Sequence, residues 1–560
     1  MPKITIDGKQ IEAETGKTII QAALENGMQI PHFCWHPKLS VAGNCRICLV
    51  EVEKMPKLAI ACSTQVGDGM IVHTDSPKVI NARQAVMEFL LINHPLDCPI
   101  CDEAGECKLQ DYAYTYSEGV SRFDFAKNRK PKRVPLGPRV MLDTERCIMC
   151  SRCIRFCDEI AKKPQLVFTK RGDHVELTTF PGTELDNPYS MNTIDICPVG
   201  ALTSRDFRFR SRVWEMSSTD TLCVGCARGC NIKMWVRNNE ILRLTPRHNP
   251  SVNDYWMCDH GRLNTFPSVN DASRVKSPMI RRERELVEVG WDEALSAVAV
   301  GLKGYKKYEI AGIASPFATN EDNYLFGRLL SHLGTRKVDF RRYTDPGSAD
   351  ALLVHADKTP NSAGVVEVGA VPDDPTGSFD GILNGIREGT IKAVYVIDEM
   401  LATDPAVLEA LAKVDFLVVH AGNHNALTAL ADVVLASATY AEKNGTMVNC
   451  DGHVQRIRPA VATLEQERSM DGFSMSRLDR FGAPNDRWMK GPRRDARPTW
   501  RICLGVANAL GAKWRYATAE EVFTEIASTR EFFRGMSYLR IGSKGTAVKK
   551  PTVTVSSLKR

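Results

Sequence analysis

Apolar and polar residues alternate from the first positions. Lys-Ile-Thr-Ile, the turn pair Asp7-Gly8 and Gln-Ile-Glu-Ala predict a β-hairpin over residues 2–13. The period becomes helical from Thr18 to Asn26 and is closed by Gly27. Two strands, a helix and then a cysteine-bearing loop predict a small α+β domain to about residue 78. Residues 79–93 read as helix. A basic, proline-rich connector from Lys127 to Pro138 leads to a third cysteine region, and a fourth spans about 215–265.

The pattern changes from about residue 285. Trp291 to Leu302 predicts a helix. Ala393 to Ile397, Phe416 to Val419 and Val433 to Leu435 read as short buried strands, and helical patterns such as Pro405 to Ala412 alternate with them. That alternation predicts parallel α/β structure. Residues 465–500 are rich in Arg and Asp and read as a long loop, and a basic tail follows Gly542. No internal repeat is present.

At 560 residues the chain is too long for one core, so several domains are expected. The balance of 73 Lys and Arg against 67 Asp and Glu points to no particular partner. No basic face is interleaved with aromatics, so no nucleic acid is expected. The N-terminus has no charged region followed by an apolar one, and no apolar run reaches the roughly 18 residues of a membrane helix. These features predict an intracellular chain that does not span a membrane. Eighteen cysteines in such a compartment read as metal ligands, not disulfides. All but Cys450 and Cys503 lie before residue 259, which makes the first half the cofactor module.

The cysteines fall into four sets. Cys34, Cys45, Cys48 and Cys62 have the spacing C-x10-C-x2-C-x13-C and suit a [2Fe–2S] cluster, with Gly43 to Cys48 as a tight loop whose N–H groups can face the sulfurs. His94, Cys98, Cys101 and Cys107, in HPLDCPICDEAGEC, suit a [4Fe–4S] cluster: three cysteines call for a fourth ligand and His94 stands at the right spacing. A neutral imidazole in place of a thiolate should raise the potential. Cys147, Cys150 and Cys153, completed by Cys197 in CPVGAL, form a ferredoxin run for one further [4Fe–4S] cluster and leave Cys157 as the spare. Cys223, Cys226, Cys230 and Cys258 suit another [4Fe–4S] cluster. Structural zinc is the alternative for the first and fourth sets.

The order of these sets resembles the large iron–sulfur subunit (75 kDa-type) of bacterial NADH:quinone oxidoreductase, respiratory complex I, over roughly residues 1–270. The fourth set looks like the extra off-path cluster of some bacterial members. GWDEAL (290–295), ATNEDNY (318–324) and AEKNGTMVN (441–449) resemble landmarks of the molybdopterin oxidoreductase fold. The resemblance implies a multidomain α+β and α/β chain. Its expected parts are a ferredoxin-like [2Fe–2S] domain (1–78), a helical one-His/three-Cys [4Fe–4S] domain (79–138) and a ferredoxin-type [4Fe–4S] domain (139–214). A molybdopterin-oxidoreductase-type [4Fe–4S] domain (215–272), a shortened molybdopterin-oxidoreductase-like α/β domain (273–540) and the basic tail (541–560) follow.

The resemblance also implies a role. Electrons would come from a flavin- and NADH-binding partner that carries FMN. They would pass the [2Fe–2S] cluster, the His94 cluster and the Cys147 cluster toward quinone-side iron–sulfur subunits. The chain would sit in the peripheral arm at the cytoplasmic face of the bacterial inner membrane, touching the membrane only through the complex. It would hold no substrate site, no catalytic residue and no molybdenum. The nearest rival is the catalytic subunit of a molybdenum-dependent, NAD-linked formate dehydrogenase. That family carries two ferredoxin clusters where this chain has ligands for one, and Val338 to Tyr343 offers no thiol for molybdenum. An iron-only hydrogenase would need more cysteines than Cys450 and Cys503 supply. A zinc-stapled scaffold would be colourless. No G-x-G-x-x-G junction or P-loop marks a nucleotide site.

Overall fold

The computed structural model describes residues 1–465 and 491–548. It divides into two compact units, Met1–Glu215 and Met216–Arg560.

The first unit begins with the predicted hairpin. Lys3–Ile6 pairs antiparallel with Lys9–Glu12, and Asp7 and Gly8 take φ of 48° and 79°, the left-handed values a two-residue turn requires. Ile4, Ile6 and Ile11 are buried beside Ile19 and Ile20 of the helix Ile19–Glu25. Each such burial is worth about 1.5–3 kcal/mol. The helix starts where Thr18 and Gln21 close a capping box, with Gln21 Oε1 accepting from Thr18 N at 2.9 Å. Three strands that the alternation does not predict complete the sheet, in the order Lys9–Glu12, Lys3–Ile6, Ile71–His73, Leu49–Val52, Ala59–Ile60. They are two to four residues long, too short for a period to stand out.

Helix Pro77–Leu91, capped by Ser76, replaces the predicted 79–93 with a shift of two residues at each end. Helix Lys108–Tyr116 follows directly from Cys107. A small antiparallel sheet of Val134–Pro135, Val140–Leu142 and Leu202–Ser204 frames the third cysteine region.

The second unit opens with the antiparallel strands Ser217–Leu222, Asn231–Arg237 and Glu240–Pro246. Its core is a seven-stranded sheet. In order these strands are Glu285–Glu288, Met279–Arg282, Val433–Ala436, Phe416–Ala421, Ala393–Val396, Ile310–Ala314 and Val338–Phe340. The last five are mutually parallel, as strand–helix alternation predicts. The first two form an antiparallel hairpin at the edge. Its charge-rich Arg281-Arg282-Glu283-Arg284-Glu285 segment hides the strand pattern. Helices Trp291–Lys303 and Asn320–His332 pack with Thr499–Ala509, and the second is started by Thr319, whose hydroxyl accepts from Asp322 N at 3.2 Å.

The long loop expected over 465–500 lies outside the described residues except at its ends, and Thr499 already begins a helix. Of the expected tail, Thr546–Ala547 pairs with the strand His453–Ile457, and residues 549–560 lie outside the described ones. Among the described residues no helix is long and apolar enough to cross a membrane.

Candidate metal centres

The loop between the helix Ile19–Glu25 and the strand Leu49–Val52 carries Cys34, Cys45 and Cys48, and Cys62 follows the strand Ala59–Ile60. Cys34 is hydrogen-bonded through its thiol to Cys45 and Cys62, and Cys62 to Cys48, so the four sulfurs form one connected group. Gly43 and Arg46 both take φ of 61°, which turns the backbone inward. The N–H groups of Asn44 and Cys45 point to the Cys34 sulfur, and that of Cys34 reaches Cys45 Sγ at 3.4 Å. Thiol contacts within the set hold the Cys34 thiol well below its usual range. Donors aimed at sulfur fit an anionic iron–sulfur core.

The third set lines one small cavity, closed by Phe168, Leu177, Val199, Ala201 and Leu202 around Cys147, Cys150, Cys153 and Cys197. Met149 and Ser151 take φ of 54° and 61°, so alternate residues are left-handed and the N–H groups of Met149 and Arg152 face Cys147 and Cys150. Burial pushes the Cys147 thiol up to about 12. It pushes Cys153 and Cys197 well up too. Such thiols stay protonated on their own, and only a bound cation would make them thiolates. Cys157 stays outside this cavity, fully buried and hydrogen-bonded to Asn187.

In the second set, Cys101 and Cys107 are buried and Cys98 is exposed. Burial, then Arg146 and Lys127, lowers the His94 imidazole to about 4. It is therefore neutral, with a lone pair free for a metal. The Arg146 guanidinium lies near both His94 and Cys101 and is anchored on Asp97 Oδ2 at 3.0 Å. Lys132 adds a 2.6 Å bond to the same oxygen.

The three sets of this unit are not arranged in chain order. Arg152 donates to Trp35 O, beside Cys34, at 2.5 Å and to Ile196 O, beside Cys197, at 3.1 Å. Asn44 Nδ2 donates to Met149 O at 3.1 Å. On its other side the third set meets the second: the Cys107 thiol lies 3.9 Å from Pro198 O, and a Cβ at Gly200 would overlap Cys101 Sγ. The Cys147 set thus stands between the other two.

The fourth set lies in the second unit. Cys223 follows one strand and Cys230 precedes the next, joined by Cys223 N to Cys230 O at 2.8 Å. Gly225 N and Gly261 N donate to Cys223 Sγ and Cys258 Sγ at 3.4 and 3.3 Å. Gly261 fills a close gap, since a Cβ there would lie 2.8 Å from Cys223 Sγ. A further thiol that spacing does not reveal, Cys450, sits near Cys226, its N–H bonded to Ala227 O at 2.8 Å. Cys503 is buried in the core. Among the described residues no three Cys, His, Asp or Glu side chains converge tightly enough for a single metal ion. The fit to clusters therefore rests on the grouped sulfurs and the N–H donors facing them.

A cavity of about 350 Å³ opens beyond the carboxyl ends of Ile310–Ala314 and Ala393–Val396, where the strand order reverses, bordered by Ser315, Phe317, Tyr343 and Asp398. None of its lining residues carries a thiol.

The modules match known families one by one. Residues 2–77 match a 2Fe-2S iron-sulfur cluster binding domain and 83–122 the NADH-ubiquinone oxidoreductase-G iron-sulfur binding region. Residues 137–203 match the ferredoxin-like domain of NADH-quinone oxidoreductase subunit 3. Residues 216–265 match the molybdopterin oxidoreductase Fe4S4 domain, and 274–364 with 351–470 match molybdopterin oxidoreductase. The NADH-quinone oxidoreductase G-type subunit of Rickettsia bellii is 43% identical over 343 residues, 61% of this chain and 50% of that protein. The NADH-ubiquinone oxidoreductase 75 kDa subunit of Reclinomonas americana is 39% identical over 365 residues, 64% of this chain and 52% of that protein. The chain spans about half the length of these curated relatives. Over the matched residues it is similar to the G-type, 75 kDa subunits of NADH-quinone oxidoreductase, and the matched iron–sulfur domains follow the order its sequence predicts.

Proposed function

We propose that the chain is the electron-relay subunit of an NADH:quinone oxidoreductase, standing between a flavin-bearing, NADH-oxidising partner and quinone-side iron–sulfur subunits. One [2Fe–2S] cluster on Cys34, Cys45, Cys48 and Cys62 and three [4Fe–4S] clusters on the other sets would supply one-electron storage. The chain's own residues fix where each set stands and aim N–H groups at the sulfurs.

The observation that carries this reading is the serial contact of three sets within Met1–Glu215. Electron tunnelling falls steeply with distance, so a relay follows nearest neighbours. The order supported is the Cys34 set, the Cys147 set, then the His94 set, which replaces the chain order implied by the resemblance. The His94 loop is the exit in this reading, because Cys98 is exposed and Leu96 and Ile100 beside it are 89% and 59% exposed. The fourth set lies in the other compact unit and is assigned no place in the relay. A role in the peripheral arm at the cytoplasmic face of the inner membrane follows from this reading.

The test is reduction of the assembled complex by NADH, followed by low-temperature EPR. With Cys153→Ser, the first set's signal should still appear, while the His94 signal and quinone reduction should fall together. A His94 signal that persists at the wild-type rate would place it ahead of the Cys147 set and reject this order.

A further inference from the structure

Arg152 and Arg146 are both buried cations beside sulfur ligands, at 5% and 3% exposure. Arg146 is paired with the carboxylates of Asp97 and Asp143. Arg152 instead donates to two main-chain carbonyls, Trp35 O at 2.5 Å and Ile196 O at 3.1 Å. Each carbonyl adjoins a sulfur ligand, one in the first set and one in the third. Burial works against the guanidinium, and the thiols of Cys150, Cys197, Cys34 and Cys45 work for it. Arg155, one turn on, clasps the same two segments through Cys34 O and Cys150 O at 2.5 and 3.3 Å.

We propose that Arg152 is a shared positioning residue: one fixed cation that holds up the potentials of the first and third sets together while pinning their separation. An iron–sulfur core on four thiolates is anionic and gains another negative charge on reduction. A cation held in a poorly polarisable interior favours the reduced form of both neighbours. Arginine suits this place because it stays charged and its planar fork reaches two carbonyls at once.

The proposal rests on both sets holding iron. Zinc in the wild-type protein would sink that reading before any variant is compared. The experiment is a redox titration of the assembled complex, monitored by EPR, with R152Q, R152M and R152K. R152Q keeps one amide donor, R152M only volume, R152K the charge. The expected result is at least a tenfold fall in the equilibrium constant for reduction of both sets in R152Q and R152M, about 59 mV. R152K should recover most of it, and the fourth set should not move. Loss of both clusters in R152Q and R152M with R152K intact also supports the charge. Unchanged midpoints in cluster-replete R152Q or R152M, R152K falling as far as R152Q, or cluster loss in all three variants would overturn it.

Discussion

Gly200 presses against the sulfur of Cys101, so closely that a Cβ would overlap it and also lie 3.0 Å from Glu103 Cβ. A residue three positions beyond Cys197 of the third set thus defines the wall of the second set. We predict that Gly200→Ala costs about 1–3 kcal/mol by overpacking and selectively weakens the His94-set EPR signal. Unfolding curves and cluster content of the purified complex check both effects.

That contact marks the limit of what spacing reveals. The hairpin about Asp7-Gly8, the helix capped at Thr18 and the buried strands Ala393–Val396 and Phe416–Ala421 are written in local period and turn chemistry. The grouping of Cys147, Cys150, Cys153 and Cys197 is likewise legible, because a ferredoxin run and a returning CPVGAL are local signals. The placement of that set between the others is not. It depends on Arg152 reaching Trp35 O across 117 positions and on Gly200 meeting Cys101, contacts with no trace in spacing. The edge hairpin of Met279–Arg282 and Glu285–Glu288 is hidden for another reason: it is rich in charge, which breaks the run of apolar residues expected of a buried strand.

His94→Cys replaces a neutral ligand by an anion. We predict that the cluster persists and that its midpoint falls by at least a tenfold change in equilibrium constant, about 59 mV. An unchanged midpoint in a redox titration would count against His94 as a ligand.

Cys157→Ala should leave every EPR signal in place and cost ~1 kcal/mol for the small cavity, since its thiol lies outside the third set's cavity. Cys153→Ala, by contrast, should remove that set's signal. EPR of the two variants side by side separates ligand from neighbour.

In the second unit Arg274 and Glu442 form a buried bidentate pair, with bonds of 3.1 and 2.7 Å. Burial raises the Glu442 carboxyl, and Arg274, the Thr439 N–H and Arg494 together more than offset this, leaving it below its ordinary 4.5. The pair's contribution is therefore full above pH 4.5 and is lost as pH falls through the lowered value. Arg274→Met leaves the carboxylate without its main partner and should cost about 3–5 kcal/mol near neutrality. In the variant burial raises Glu442, so protonation relieves it and the gap to the wild type should narrow in acid. Thermal melts across pH measure that gap.

The most direct measurement is metal and acid-labile sulfide analysis of the anaerobically purified complex, joined to EPR during stepwise reduction. Iron and sulfide are expected for one [2Fe–2S] and three [4Fe–4S] centres, each lost with its own cysteine set. Stoichiometric zinc in those sets, or a protein with no reducible centre, would contradict the relay.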